Sequence, residues 1–184
     1  MGGTFDPIHL GHLRIIEKLA PKFDEIFLIP AGQPQLRDGA PSASADDRLE
    51  MCAAALDDLS DALQEKVSLL DIEIKRSGAT FTVDTLSQLR AFFPKYDFTL
   101  VIGSDAAAAF SKWKKADEIK KSTKLLVVRR PGAAKSEFPE IEIDALDISA
   151  TQIRDLFKSK KSAPSVLSPT VSAYITKRGL YGSK

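Results

Sequence analysis

Residues 1–12, MGGTFDPIHLGH, decide how the rest of the chain is read. Gly2 and Gly3 remove side chains where backbone N–H groups must come close to something, and His9 and His12 stand about one turn apart at the start of a helical pattern. A helix beginning offers unpaired N–H groups and the positive end of its dipole, so a glycine turn leading into one suits a chain of phosphates. Two imidazoles there can each donate to a phosphate oxygen. Glycine turns and scattered histidines are each common, but this chain has only 2 histidines and both fall in the one stretch.

Outward from that stretch, helices and strands alternate. "LGHLRIIEKLA" spaces Leu10, Leu13, Ile16 and Leu19 as a helix that Pro21 stops, and "EIFLIPA" reads as a short buried strand closed by Pro30 and Gly32. "GQPQLRDGAPSAS" is a loop, after which Ser44 and Asp47 resemble a capping box opening a helix through "DDRLEMCAAALDDL". In "VSLLDIEIKR", Leu70, Ile72 and Ile74 alternate with Asp71, Glu73 and Lys75, which predicts a strand with one wet face. "TVDTLSQLRAFF" is helical as far as Pro94, "FTLVIG" is an apolar strand, and "DAAAAFSKW" begins another helix. "KLLVVRRPG" is a strand ending in a turn, and "IEIDAL" is a short strand. Ser149 and Gln152 form a second capping box at the head of "SATQIRDLF", and "PTVSAYITKRG" is the last helix, stopped by Gly179.

This alternation predicts an α/β fold, a Rossmann-like, doubly wound and mainly parallel sheet with helices on both faces. No repeat, linker or low-complexity tract divides residues 1–184, so one domain is expected. Ligands of such sheets sit beyond the carboxyl ends of the strands. The Gly2-Gly3 turn, the loop after Ala31, the stretch after Ile102 and the turn after Arg130 should therefore share one edge.

Composition narrows the classes. With 43% hydrophobic and 28% charged residues, the chain is neither disordered nor fibrous in type. Lys plus Arg number 26 against 25 for Asp plus Glu, which argues against a nucleic-acid partner and requires any anion to be held locally. The single cysteine, Cys52, lies in the apolar run "LEMCAAAL" and reads as a core residue, with no disulfide framework around it. No apolar run approaches the ~20 residues that span a bilayer, and no signal-peptide pattern leads the chain, so no membrane partner and a cytoplasmic location are expected. A homo-oligomer is compatible with the sequence.

Together, "GGTFDPIHLGH" and "ISATQIR" resemble the two nucleotide-binding signatures of the HxGH nucleotidyltransferase superfamily. "FTVDTL", "GSDA" followed by a tryptophan, and "RRPG" resemble its bacterial nicotinate-nucleotide adenylyltransferase branch, and the similarity runs from Gly2 to about Tyr181. The resemblance implies adenylyl transfer from ATP to nicotinate mononucleotide, releasing pyrophosphate. The mononucleotide's own phosphate is the nucleophile in that reaction, so positioning and charge stabilisation carry it. By resemblance, His9, His12 and Arg154 are the catalytic set, and Thr151 joins Arg154 on the β and γ phosphates. Gly2, Gly3, Thr4, Phe5, Gly103, Asp105 and Ser149 complete the ATP site. Arg37, Thr82 and Trp113 hold the mononucleotide, with Trp113 stacking on the pyridine ring. Mg²⁺ bridges the ATP phosphates without a protein cage of its own.

Read without the resemblance, several of these residues have plainer roles. Arg154 suits a surface salt bridge, Asp105 a helix-cap acid, Trp113 core packing and Arg37 a solvated loop charge. "GATFTVDTL" enters a helix near Thr82, where backbone N–H groups favour a carboxylate over an amide, hence nicotinate over nicotinamide. Two departures from the family pattern stand out. Its Pro-Pro-His-Lys loop reads Pro34-Gln35-Leu36-Arg37 here, with Leu36 in place of the histidine. Its first strand is cut short, with Met1 where the last apolar residue of that strand should be, which predicts an internal Met1 in a longer native protein. The alternatives are a nicotinamide mononucleotide or phosphopantetheine acceptor, or a non-catalytic nucleotide-binding module.

Overall fold

The computed structural model describes residues 1–34, 39–129, 132, 134–143, 148–161 and 165–183. In chain order these form β1 (Gly2–Gly3), α1 (Leu10–Leu19), β2 (Ile26–Pro30), α2 (Ala45–Asp57), α3 (Asp61–Gln64), β3 (Val67–Leu69) and α4 (Thr82–Phe92). There follow β4 (Thr99–Gly103), α5 (Ser104–Ala108), α6 (Ala116–Ser122), β5 (Lys124–Arg129), β6 (Glu140–Glu142), α7 (Ala150–Lys158) and α8 (Pro169–Arg178). Short 3₁₀ turns occupy Phe110–Lys112 and Leu180–Gly182.

Every strand pairing is parallel, in the orders β1-β2-β3 and β4-β5-β6. Alternation along the strands splits their side chains between two helical layers. Ile26 and Leu28 of β2, Val101 of β4 and Val128 of β5 pack into one core with α1, α2, α7 and α8. Phe27 and Ile29 turn the other way, onto Leu89 of α4, while Leu100, Ile102, Leu125 and Val127 join Val83, Leu86 and Ile119. This is the three-layer, doubly wound arrangement predicted above.

The two three-stranded sheets are not joined by a ladder among the described residues. β1 is the reason: its two residues pair only as Gly2 with Ile29 and Gly3 with Pro30, so it stops short of β4. A cavity of about 1060 Å³ opens there, with Met1, Ile26 and Phe27 on one wall and Thr99, Leu100 and Val101 on the other. The Met1 nitrogen lies beside it and donates to the Phe27 carbonyl at 2.7 Å.

Two expectations need correction. The alternating stretch after Val67 is a strand only to Leu69, because the partner strand ends at Pro30, which has no N–H to extend the ladder. The chain turns instead, with the Lys75 N–H donating to the Asp71 carbonyl at 2.9 Å, and Ile72 packs beside Phe27, Ile29 and Leu89. The helix predicted through "DAAAAFSKW" lasts five residues before tightening to 3₁₀ at Phe110. The Ser149–Gln152 capping box and the Gly179 stop of α8 are formed as expected, whereas Ser44 caps α2 through the Asp47 N–H alone, the Asp47 carboxylate accepting from the Ser44 hydroxyl rather than from its backbone N–H.

Candidate active site

The phosphate end is built around the turn from β1 into α1. Gly3 is required sterically: a Cβ there would lie 2.8 Å from the Phe5 ring, which folds back beneath it at φ 49°. That ring is buried and stands edge-on to His12, centroids 5.0 Å apart at 81°. Phe5 thus supports an imidazole through its ring rather than offering that ring to a ligand. His9 is the N-cap of α1 and is only 3% exposed. Its backbone N–H donates to His12 Nδ1 at 3.2 Å, and the two imidazoles lie 3.8 Å apart. Because Nδ1 of His12 accepts, a neutral ring carries its proton on Nε2, so His12 presents a donor on its other nitrogen.

Arg154 arrives from the far end of the chain. It sits one turn into α7, whose start is capped by Ser149 and Gln152: the Gln152 N–H donates to Ser149 Oγ at 3.1 Å, and the Ser149 N–H donates to Gln152 Oε1 at 3.0 Å. The Ser149 hydroxyl is therefore held in the cap. Arg154 is 8% exposed, donating through Nη1 to the Asp6 carbonyl at 2.8 Å and through Nη2 to Thr151 Oγ1 at 3.1 Å. Thr151 itself is exposed. The surface-salt-bridge reading of Arg154 fails, since the guanidinium is buried against the chain segment that leads into His9. The motifs of both chain ends thus meet through Asp6.

A second guanidinium orders the neighbouring loop. Arg48, 1% exposed, donates to the carbonyls of Thr4 at 2.7 Å and Gly32 at 3.2 Å, tying the loops that follow β1 and β2. Gly32 allows the second loop to pass close by, since a Cβ there would stand 2.2 Å from the Glu73 carbonyl oxygen. Cys52, beneath Arg48 on α2, is fully buried, and burial pushes its thiol up, which fits the core reading.

A second region lies across the carboxyl ends of β2 and β4. The large cavity extends there and is lined by Thr80, Phe81, Thr82, Gly103, Ala106 and Trp113. It also touches Gly2, Gly3 and Thr4, but neither imidazole nor Arg154 lines it. Thr82 opens α4, and Trp113 leans on Phe110 at 5.3 Å while remaining half-buried. A Cβ on Gly103 would meet nothing within 4 Å, so the backbone there borders open space. Asp105 is exposed and lies in the first turn of α5 without capping it, so the cap role is not filled. Arg37 and Leu36 fall outside the described residues, as do Arg130 and Pro131. Of the turns expected at one edge, those after β1, β2 and β4 do meet, at Thr4, Pro34 and Gly103.

Sequence reasoning missed four residues. Asp6, Arg48 and Tyr181 act through partners tens to hundreds of positions away, which no local pattern announces. Thr80 is 7% exposed on the cavity wall, and its hydroxyl has no hydrogen-bond partner among the described residues.

The sequence and the fold both have known counterparts. Residues 1–156 match the family model described as cytidylyltransferase-like. A relative from Shouchella clausii named "Probable nicotinate-nucleotide adenylyltransferase" is 33% identical, covering 98% of this chain and 94% of its own length. One of the same name from Dehalococcoides mccartyi is 35% identical over 98% of this chain and 95% of its own. Among solved structures, a Plasmodium falciparum nicotinic acid mononucleotide adenylyltransferase complexed with NaAD superimposes with a TM-score of 0.86 at 22% identity, covering 100% of this chain and 96% of that one, a likeness of fold.

Proposed function

From the premise that the chain belongs to the cytidylyltransferase-like family, among the nicotinate-nucleotide adenylyltransferases, we infer that it moves an adenylyl group from ATP to nicotinate mononucleotide. The products are nicotinate adenine dinucleotide and pyrophosphate, a step of NAD biosynthesis. The observation that carries the site assignment is the 2.8 Å hydrogen bond from Arg154 to the Asp6 carbonyl, which places a buried guanidinium three residues from His9.

An oxygen of the mononucleotide's 5′-phosphate attacks the α-phosphorus, a new P–O bond forms, and the bond from the α-phosphorus to the bridging oxygen breaks. The electron pair leaves with pyrophosphate, so no protein nucleophile is needed. The reaction places growing negative charge on the departing β and γ phosphates. His12, donating from Nε2, meets that charge from the α1 side, with His9 stacked against it. Arg154 and Thr151 meet it from the α7 side, where a planar guanidinium can bind two oxygens at once. The Ser149 side chain serves by capping α7, which leaves the backbone N–H groups of that first turn to the anion. Gly2, Gly3, Thr4 and Phe5 shape the turn that seats the triphosphate, and Gly103 and Asp105 border the nucleoside.

Magnesium would arrive bound to ATP as part of the substrate and would supply charge neutralisation to its phosphates, with His12, Arg154 and Thr151 holding their oxygens. The donors at this end are imidazole, guanidinium and hydroxyl, a set that complements phosphate oxygens rather than an ion. Among the described residues no group of three or more His, Cys, Asp or Glu side chains is placed to hold a metal.

At the ring end, Trp113 stacks on the pyridine and Arg37 grips the mononucleotide phosphate. The first N–H groups of α4 at Thr82, with the Thr80 hydroxyl, which has no partner among the described residues, beside them, receive the ring carboxylate. An amide gains less from the same donors, so the acid is preferred. The test offers purified protein ATP and Mg²⁺ with nicotinate mononucleotide, nicotinamide mononucleotide or phosphopantetheine, and follows pyrophosphate. Release fastest with the nicotinate acceptor is expected. A preference for the amide overturns the carboxylate assignment, and no release with any acceptor overturns the transferase reading.

A further inference from the structure

Asp6 and Tyr181 are absorbed by no step of the reaction, yet they hold the most connected buried carboxylate of the described residues. Asp6 is 1% exposed. Its Oδ2 accepts the Ser42 N–H at 2.8 Å and its Oδ1 accepts the Ala43 N–H at 3.1 Å, both at the entrance to α2. The Tyr181 hydroxyl donates to the same Oδ1 at 2.8 Å, across 175 residues of chain. Arg154 Nη1 lies 3.9 Å from Oδ2 while donating to the Asp6 main-chain carbonyl at 2.8 Å.

We propose that Tyr181 and Asp6 form a positioning lock for Arg154, through which the C-terminal turn sets where the guanidinium stands on the triphosphate. Tyr181 is wedged for the task. Its backbone is left-handed at φ 57° just past the Gly179 stop of α8, its ring lies 6.3 Å from that of Phe157 on α7, and its hydroxyl approaches Met51 Sδ at 3.9 Å. Burial first, then the Asp6 charge, push its phenol up, so it stays protonated and remains a donor. A buried carboxylate fixed by three donors cannot rotate away, and Arg154 is bonded to the backbone of that same residue. The guanidinium position is thereby set from two sides, by Thr151 on its own helix and by Asp6. Neither Asp6 nor Tyr181 touches substrate. Their effect passes through Arg154, and the lock rests on the assignment of Arg154 to ATP made above.

The test is a double-mutant cycle read in binding as well as turnover. Tyr181→Phe removes the hydroxyl and keeps the ring against Phe157. The readouts are KM for ATP, KM for nicotinate mononucleotide, kcat, and equilibrium binding of α,β-methylene ATP, each in the native and the Arg154→Ala backgrounds. Expected is a rise of about five- to tenfold in the ATP-side constants, the size of one ordinary hydrogen bond because the lost bond acts only through Arg154, with the mononucleotide KM within about twofold. In the Arg154→Ala background, Tyr181→Phe should change nothing further. Asp6→Asn, which keeps the shape but alters the acceptor, should behave alike and carries the same cycle should Tyr181→Phe fail to fold. An unchanged ATP affinity, equal losses for both substrates, or an undiminished effect without Arg154 each overturn the lock. Should the unaltered protein bind the analogue but release no pyrophosphate, the transferase reading fails while the binding cycle still decides the lock.

Discussion

At the phosphate end, residues 148 positions apart meet in one hydrogen bond, Arg154 to Asp6, and the Asp6 carboxylate is bonded in turn to Ser42, Ala43 and Tyr181. At the ring end, Thr82 and Trp113 line an open cavity, and a hydroxyl beside them lacks a partner among the described residues. The first region is organised before any ligand arrives. The second leaves its donors and its aromatic face for the ligand to complete. Preorganisation matters most where charge develops, because donors fixed in advance need no reorganisation in the transition state, whereas recognition of a ring needs chiefly a surface and a few donors.

The largest expected effect breaks the phosphate end. His12→Ala should lower kcat by about 10²- to 10³-fold, the usual cost of one preorganised donor to developing charge, with a thermal midpoint within a few degrees of the parent. Pyrophosphate release and a circular dichroism melt measure both, and undiminished kcat removes His12 from the reaction. Next, Arg154→Lys keeps the charge but loses the planar fork, and should cost about 10- to 100-fold in kcat/KM for ATP. At the ring end, Trp113→Ala should raise KM for nicotinate mononucleotide about 5- to 20-fold, as for a lost stacking face, while leaving KM for ATP nearly unchanged. Equal changes in both constants would erase the distinction between the two ends.

The smallest effect concerns a carboxylate outside both ends. Burial alone would raise Asp47, but hydrogen bonds from Ser44, Tyr174 and Arg178, with the Arg178 charge, hold its carboxyl below the usual range and tie α2 to α8. A lowered folded pKa gives stability that is present above the unfolded value and lost as pH falls through the folded one. The melting-temperature gap between the parent and Asp47→Asn should be flat from about pH 5 to 7 and shrink below about pH 4. Activity near neutrality should stay close to that of the parent, and a gap widening on acidification contradicts this assignment.

The difference between the ends also explains what could be read from the sequence. Gly3, His9 and His12 lie in one contiguous turn and helix start, and Ser149 and Gln152 in one cap, so local spacing exposed both, while Arg154 was singled out by resemblance. The unbroken apolar runs Ile26 to Ile29 and Leu100 to Ile102 read as buried strands for the same reason, and their side chains do divide between the two helical layers. Asp6 carried no local signal, because its partners Ser42, Arg154 and Tyr181 are set only by how α2, α7 and the last turn pack. The stretch from Leu70 misled because its alternation was real while its partner strand ended at a proline, a property of β2 rather than of the stretch itself. Trp113 and Thr82 were placed near each other by resemblance, and their common cavity depends on the crossover of β4 beside α4.

The central claim is that one triphosphate is held between the starts of α1 and α7. An experimental structure of the complex with α,β-methylene ATP tests it most directly. The account predicts phosphate oxygens within hydrogen-bond reach of both His12 Nε2 and the Arg154 guanidinium. A triphosphate bound elsewhere, or touching only one of the two, would contradict it.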